Sequence, residues 1–155
     1  MANGTILVVG GQDGSNGPPV PTLELLPTQG PTLFMEWLRA SDPWNLYPFM
    51  AVIRGGIFVQ YWNEARILDE NTFETIRVLP PVPGAVNAPL GGRTYPLEGT
   101  MVLLPQHAPY TESLEVLICG GSTVDNAGKS ASTGSPGIKA RDSLLVVTSA
   151  MGNSP

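Results

Sequence analysis

A chain of 155 residues and 16.4 kDa is long enough to bury one core, and its 18 glycines and 16 prolines with only 14% charged residues exclude a long-helix protein. Eight basic against 13 acidic residues give a net charge of −5 without any basic run; this excludes nucleic acid as an expected partner, because phosphate contact needs clustered Lys and Arg. Apolar stretches reach about five residues, far short of the ~20 that cross a bilayer as a helix, so no membrane partner is expected either.

From the N-terminus, Met1-Ala2-Asn3-Gly4 has no basic stretch and the apolar run after it stops at Gly10-Gly11. No signal peptide is expected, which leaves the compartment of this chain open. Asn3-Gly4-Thr5 is formally a glycosylation sequon, but Asn-Gly is a strong turn dipeptide and the turn is the favoured reading. Residues 5–9 read as a short buried strand. The oxygen-rich Gln12-Asp13-Gly14-Ser15-Asn16-Gly17 resembles a calcium loop only in part, lacks the closing Glu, and reads as a turn. A second strand follows over residues 22–26, ending at Pro27. Residues 33–39 fit one or two helical turns with Leu33, Trp37 and Leu38 on one side, broken by Asp42-Pro43.

The middle of the chain reads as a four-stranded meander. Its strands are residues 49–53, 57–61, 65–69 and 75–79, with Arg54-Gly55-Gly56 and Glu70-Asn71-Thr72 as turns. Pro80-Pro81-Val82-Pro83-Gly84 must leave the sheet, since proline donates nothing to a ladder. Residues 100–104 and 114–119 form a third unit around the loop 105–113. Residues 123–142, mostly small and polar, read as a flexible segment, and residues 143–155 as a terminal segment opening on a strand.

Two markers repeat. Ile6-Leu-Val-Val-Gly-Gly, Ile57-Phe-Val-Gln-Tyr and Val116-Leu-Ile-Cys-Gly-Gly begin at 6, 57 and 116, spacings of 51 and 59 residues. Leu46-Tyr47-Pro48 and Thr94-Tyr95-Pro96 lie 48 residues apart, each before a strand. A period of about 50 residues suggests propeller blades. The expected fold is all-β: about three blades of four-stranded antiparallel sheet, not closed, because propellers use about four to eight blades. Open sheet edges then give the chain a capacity for self-association.

In order and distance, Asn45-Leu-Tyr-Pro48, Gly56-Ile-Phe-Val59, Leu79-Pro-Pro-Val-Pro83, Arg93-Thr-Tyr-Pro96, Gly99, Val102-Leu-Leu-Pro105 and Glu115-Val-Leu-Ile-Cys-Gly-Gly-Ser122 resemble the propeller domain of glyoxal oxidase. That family of copper radical oxidases is related to galactose oxidase. The resemblance covers residues 3–122 and implies a kelch-like propeller of a fungal or plant secreted enzyme. Such an enzyme oxidises aldehydes or primary alcohols with oxygen and releases hydrogen peroxide. It further implies a copper site built from a tyrosine cross-linked to a cysteine, a second tyrosine and two histidines. None of these maps onto a residue of this chain: Gly4–Gly11 resembles the second strand of the blade whose first strand carries the radical tyrosine.

Tyr95, in Arg93-Thr-Tyr-Pro96, falls at a later structural repeat and is read as structural. Cys119, the sole cysteine, is read as a buried, inert thiol at a strand end, and His107, the sole histidine, as a solvated loop residue. Asp69-Glu70 reads as turn and surface, and Trp37, Trp44 and Trp62 as packing between blades. There is no Gly-x-Ser-x-Gly elbow and no phosphate loop. No catalytic, cofactor-binding or metal residue is therefore assigned; copper and small aldehyde or alcohol substrates belong to the full-length family. The expected function is an inactive portion of a glyoxal-oxidase-like oxidase, and the alternative is a non-catalytic β-rich binding module using loop 105–113.

Overall fold

The computed structural model describes residues 1, 3–15, 17–82, 91–109, 114–123 and 145–149. Those residues form twelve strands and one helical turn, nearly all-β, in several antiparallel sheets of which none closes into a barrel.

In the first unit β1 (Ile6–Val9) pairs with β2 (Thr22–Leu26), placing Ile6 opposite Leu26 and Val9 opposite Leu23. Gly10, at φ +70, turns the chain out of β1 while its N–H donates to the Thr22 carbonyl at 2.9 Å. A strand not foreseen in the sequence, β3 (Leu33–Phe34), follows: β2 offers its open edge, so Leu33 and Phe34 pair with Leu23 and Thr22 instead of starting a helix. The helix is only the single turn α1 (Glu36–Arg39), which buries Leu38 completely.

The meander is present as expected. β4 (Phe49–Ile53), β5 (Gly56–Tyr61), β6 (Glu64–Leu68) and β7 (Thr75–Val78) lie in sequence order in one sheet. Their boundaries sit within a residue or so of the expected ones; Gly56 belongs to β5, and Trp62-Asn63 alone make the β5–β6 turn. The Pro80–Val82 stretch leaves the sheet, held by the Val82 N–H donating to the Asn63 carbonyl at 2.9 Å.

In the third unit β9 (Gly99–Leu103) pairs with β10 (Leu114–Gly120), whose other edge takes β12 (Leu145–Ser149). A short pair, β8 (Gly91–Gly92) with β11 (Ser122–Thr123), sits beside it; two glycines carry no strand signal, so sequence reading missed it. Only the middle sheet reaches four strands among the described residues. Most of the segment assigned as 123–142 lies outside the described residues.

The three larger sheets are layered, with β5 at the centre. Ile57, Val59 and Tyr61 face the first unit, packing with Val9, Leu23 and Leu38. Phe58 faces the third, packing with Ile67, Val116 and Ile118. Alternation along an extended strand sends successive side chains to opposite faces, so β5 is buried at all six positions.

Candidate functional site

The most tightly organised region is the junction between successive units. The segment leading into β4, Asn45-Leu46-Tyr47-Pro48, lies across the exit of β1: the Gly11 N–H donates to the Leu46 carbonyl, and a Cβ on Gly10 would sit 2.8 Å from Pro48 Cδ. The segment leading into β9, Arg93-Thr94-Tyr95-Pro96, lies across the exit of β5 in the same way. There the Arg93 N–H donates to the Trp62 carbonyl at 2.9 Å, and the Trp62 N–H donates to Thr94 Oγ1 at 2.7 Å.

Thr94 also ties the two lead-ins together, donating from its hydroxyl to the Trp44 carbonyl at 2.8 Å. Tyr47 and Tyr95 form an isolated bridge, and their rings meet edge to face with centroids 5.3 Å apart. Both rings stay about half exposed. Arg93 is buried at the base of the junction, where its Nη1 donates to the Gly120 carbonyl at 2.6 Å. Trp62 takes φ +50, a conformation side chains rarely adopt; its two backbone bonds to the lead-in hold it there.

A second cluster joins α1 to the middle sheet. The Arg66 guanidinium lies over the Trp37 ring at 4.6 Å and the Tyr61 ring at 5.4 Å. Arg66 Nε donates to Tyr61 Oη at 2.8 Å, and the Tyr61 hydroxyl donates to Glu64 Oε2 at 2.9 Å. Burial pushes the Tyr61 phenol well above its usual range, so it stays protonated. The sequence signal for this cluster was the alternation Tyr61, Glu64, Arg66 across a hairpin whose two-residue turn at Trp62-Asn63 was not recognised.

The residues weighed from sequence are dispersed. Tyr95 lies in the junction, Cys119 is half-buried on β10 opposite Thr100, and His107 is exposed in the loop after β9. Asn3 Oδ1 accepts from the Thr5 N–H and hydroxyl, at 3.1 and 2.7 Å, as a turn residue does. Asp69 Oδ1 accepts from the N–H groups of Asn71 and Thr72, each at 2.8 Å, which holds its carboxyl below the usual range. Trp37 packs against Tyr61, Trp44 contributes its carbonyl to the junction, and Trp62 forms the β5–β6 turn. The loop from Gln12 closes on its own backbone, with Asp13 N–H donating to the Pro18 carbonyl at 3.0 Å.

Among the described residues no three His, Cys, Asp or Glu side chains converge. The donor set among the described residues does not fit a copper ion. No helix among them is long and apolar enough to cross a membrane.

The sequence model of the glyoxal oxidase N-terminus family matches residues 1–148. A WSC domain-containing protein of Arthroderma benhamiae is 69% identical over 124 residues, 79% of this chain and 13% of that protein. The aldehyde oxidase GLOX1 of Arabidopsis thaliana is 30% identical over 137 residues, covering 81% of this chain and 20% of the enzyme. The aldehyde oxidase GLOX of Vitis pseudoreticulata is 25% identical over 123 residues, 79% of this chain and 22% of that enzyme. The chain thus spans about a fifth or less of the curated relatives it matches. No solved structure matches it. With nearly the whole chain matched, the protein belongs to the glyoxal oxidase N-terminus family.

Proposed function

We propose that this chain is a scaffold portion of a glyoxal-oxidase-like copper radical oxidase, a three-blade segment of its kelch-like propeller without a catalytic group of its own. The observation that carries this reading is the family match over residues 1–148, together with two aldehyde oxidases among the relatives. The repeated junction supports it: each lead-in with a Tyr-Pro crosses the exit of the preceding unit, a geometry that propagates sheets around an axis. The described residues supply walls and spacing for such a domain. The reacting tyrosine, its cysteine partner and the copper ligands belong to other parts of an enzyme of this kind.

The test measures hydrogen peroxide from the purified chain with copper(II), oxygen and methylglyoxal, beside a chimaera of the Arabidopsis aldehyde oxidase carrying this chain in place of its matching segment. Peroxide from the chimaera and none from the chain is the expected result. Turnover by the chain alone would overturn the scaffold reading, and a folded chimaera without activity would overturn the oxidase reading.

A further inference from the structure

Two internal segments of the chain bring a pair of phenols together. Tyr47 and Tyr95 stand opposite one another in an antiparallel bridge, so their side chains leave the backbone on the same side. Their rings meet at 67° with centroids 5.3 Å apart, which sets the edge of one ring against the face of the other. The backbone on either side of the pair is tied down. The Leu46 carbonyl accepts from the Gly11 N–H, the Trp44 carbonyl accepts from the Thr94 hydroxyl, and the Arg93 N–H donates to the Trp62 carbonyl. Pro48 and Pro96, each with φ fixed by its ring, follow directly. The contact is thus imposed by the fold.

Both rings are also within reach of solvent, Tyr47 at 50% and Tyr95 at 47% exposure. Tyr61 differs on both counts: it is fully buried, and its ring meets Trp37 and not another phenol. Cys119 is the sole cysteine, so no disulfide can form within the chain. Among the described residues, Tyr47 and Tyr95 are the two side chains placed to form a covalent bond with one another under oxidising conditions.

We propose that Tyr47 and Tyr95 form an oxidative cross-linking site, joined ring to ring as a dityrosine when hydrogen peroxide and a haem peroxidase supply one-electron oxidation. Each phenol gives up one electron and its hydroxyl proton, leaving two phenoxyl radicals. The radicals combine through a carbon–carbon bond between the ring carbons ortho to the two oxygens. Each of those carbons then loses its hydrogen as a proton while each oxygen regains one, which restores both aromatic rings. Peroxide takes up the two electrons and two protons and leaves as two molecules of water. The protein loses two hydrogen atoms in all. A turn of one ring about its Cβ–Cγ bond carries the edge-to-face pair toward the geometry that coupling needs.

The bond would span the lead-in to β4 and the lead-in to β9, with the whole meander between them. Closing a loop of that length restricts the unfolded chain as a disulfide does, so the cross-linked form should resist unfolding more strongly. The proposal goes beyond the oxidase reading and is independent of it, because it rests on the Tyr47–Tyr95 contact alone.

The experiment treats the purified chain, at low concentration, with hydrogen peroxide and a haem peroxidase. The expected product is a monomer lighter by two hydrogen atoms, with the blue fluorescence of a biphenol and a raised urea midpoint. Tyr47→Phe and Tyr95→Phe keep the ring contact but form no phenoxyl at that position, so each should lose the monomeric biphenol. Tyr110→Phe should keep it. Oxidation of the wild type in denaturing urea tests the same point without a substitution: the monomeric yield should fall severalfold once the fold no longer holds the rings together. A biphenol that persists in Tyr47→Phe or Tyr95→Phe, a product joined only between molecules, an equal monomeric yield in urea, or no biphenol at all would each overturn the proposal.

Discussion

Gly10 carries two separate demands, and they can be measured apart. Its φ of +70 is left-handed, and its pro-side-chain direction runs into Pro48 Cδ at 2.8 Å and the carbonyls of Asn45 and Leu46. Gly30 also has a left-handed φ, +79, but open space around it. Gly30→Ala should cost about 1 kcal/mol from backbone conformation alone. Gly10→Ala should cost visibly more in a urea titration, because the Tyr47-Pro48 lead-in must also move. At Asp69 the argument concerns pH. Its folded carboxyl is held below the unfolded value, chiefly by the Thr72 N–H and then by that of Asn71, so its contribution to stability is present above the unfolded value and lost as pH falls through the folded one. Asp69→Asn should therefore lower the urea midpoint near neutral pH, with the difference from wild type closing on acidification.

At the scale of elements, α1 is a single turn too short to stand by propensity, and its place depends on what it touches. Leu38 is buried without residue, its carbonyl receives the Asn45 side-chain amide, and Trp37 lies under Arg66. Arg66→Ala removes the bond to Tyr61 and both ring contacts and should destabilise the chain by roughly 1–3 kcal/mol, with a change in tryptophan emission reporting the release of Trp37. The meander was legible because each of its strands carries β-branched or aromatic residues, with Pro48, Gly55-Gly56 and Pro80 as punctuation. The extended Leu33-Phe34 was not, because Leu33, Trp37 and Leu38 also satisfy a helical spacing and only the open edge of β2 decides against it. Gly91-Gly92 gave no signal at all. The Tyr61–Glu64–Arg66 cluster was hidden by the turn at Trp62, a residue no turn preference would place at positive φ. The Tyr47 and Tyr95 repeat was visible as a period, but their ring contact needs two segments distant in sequence to arrive at one place.

At the scale of the whole molecule, the central strand belongs to both halves of the core. Phe58 contributes to the cluster shared with the third unit and Val59 to the cluster shared with the first. Phe58→Ala should cost about 3–5 kcal/mol, a large share of the stability of a domain this size. The loss should not stay local: hydrogen exchange at β1 amides should accelerate along with β10 amides, since both sheets lean on β5. Acceleration confined to β10 would show that the first unit folds separately.

The bonds at Trp62 also have a place in time. Its N–H reaches Thr94, 32 residues later, and Thr94 in turn reaches back 50 residues to Trp44. A ribosome adding roughly 5–20 residues per second leaves the β5–β6 turn waiting about two to six seconds for its partner to be made. Once Val78 has been added, the nascent chain holds all four meander strands with an unsecured corner, and the left-handed tryptophan is set only when the next lead-in arrives.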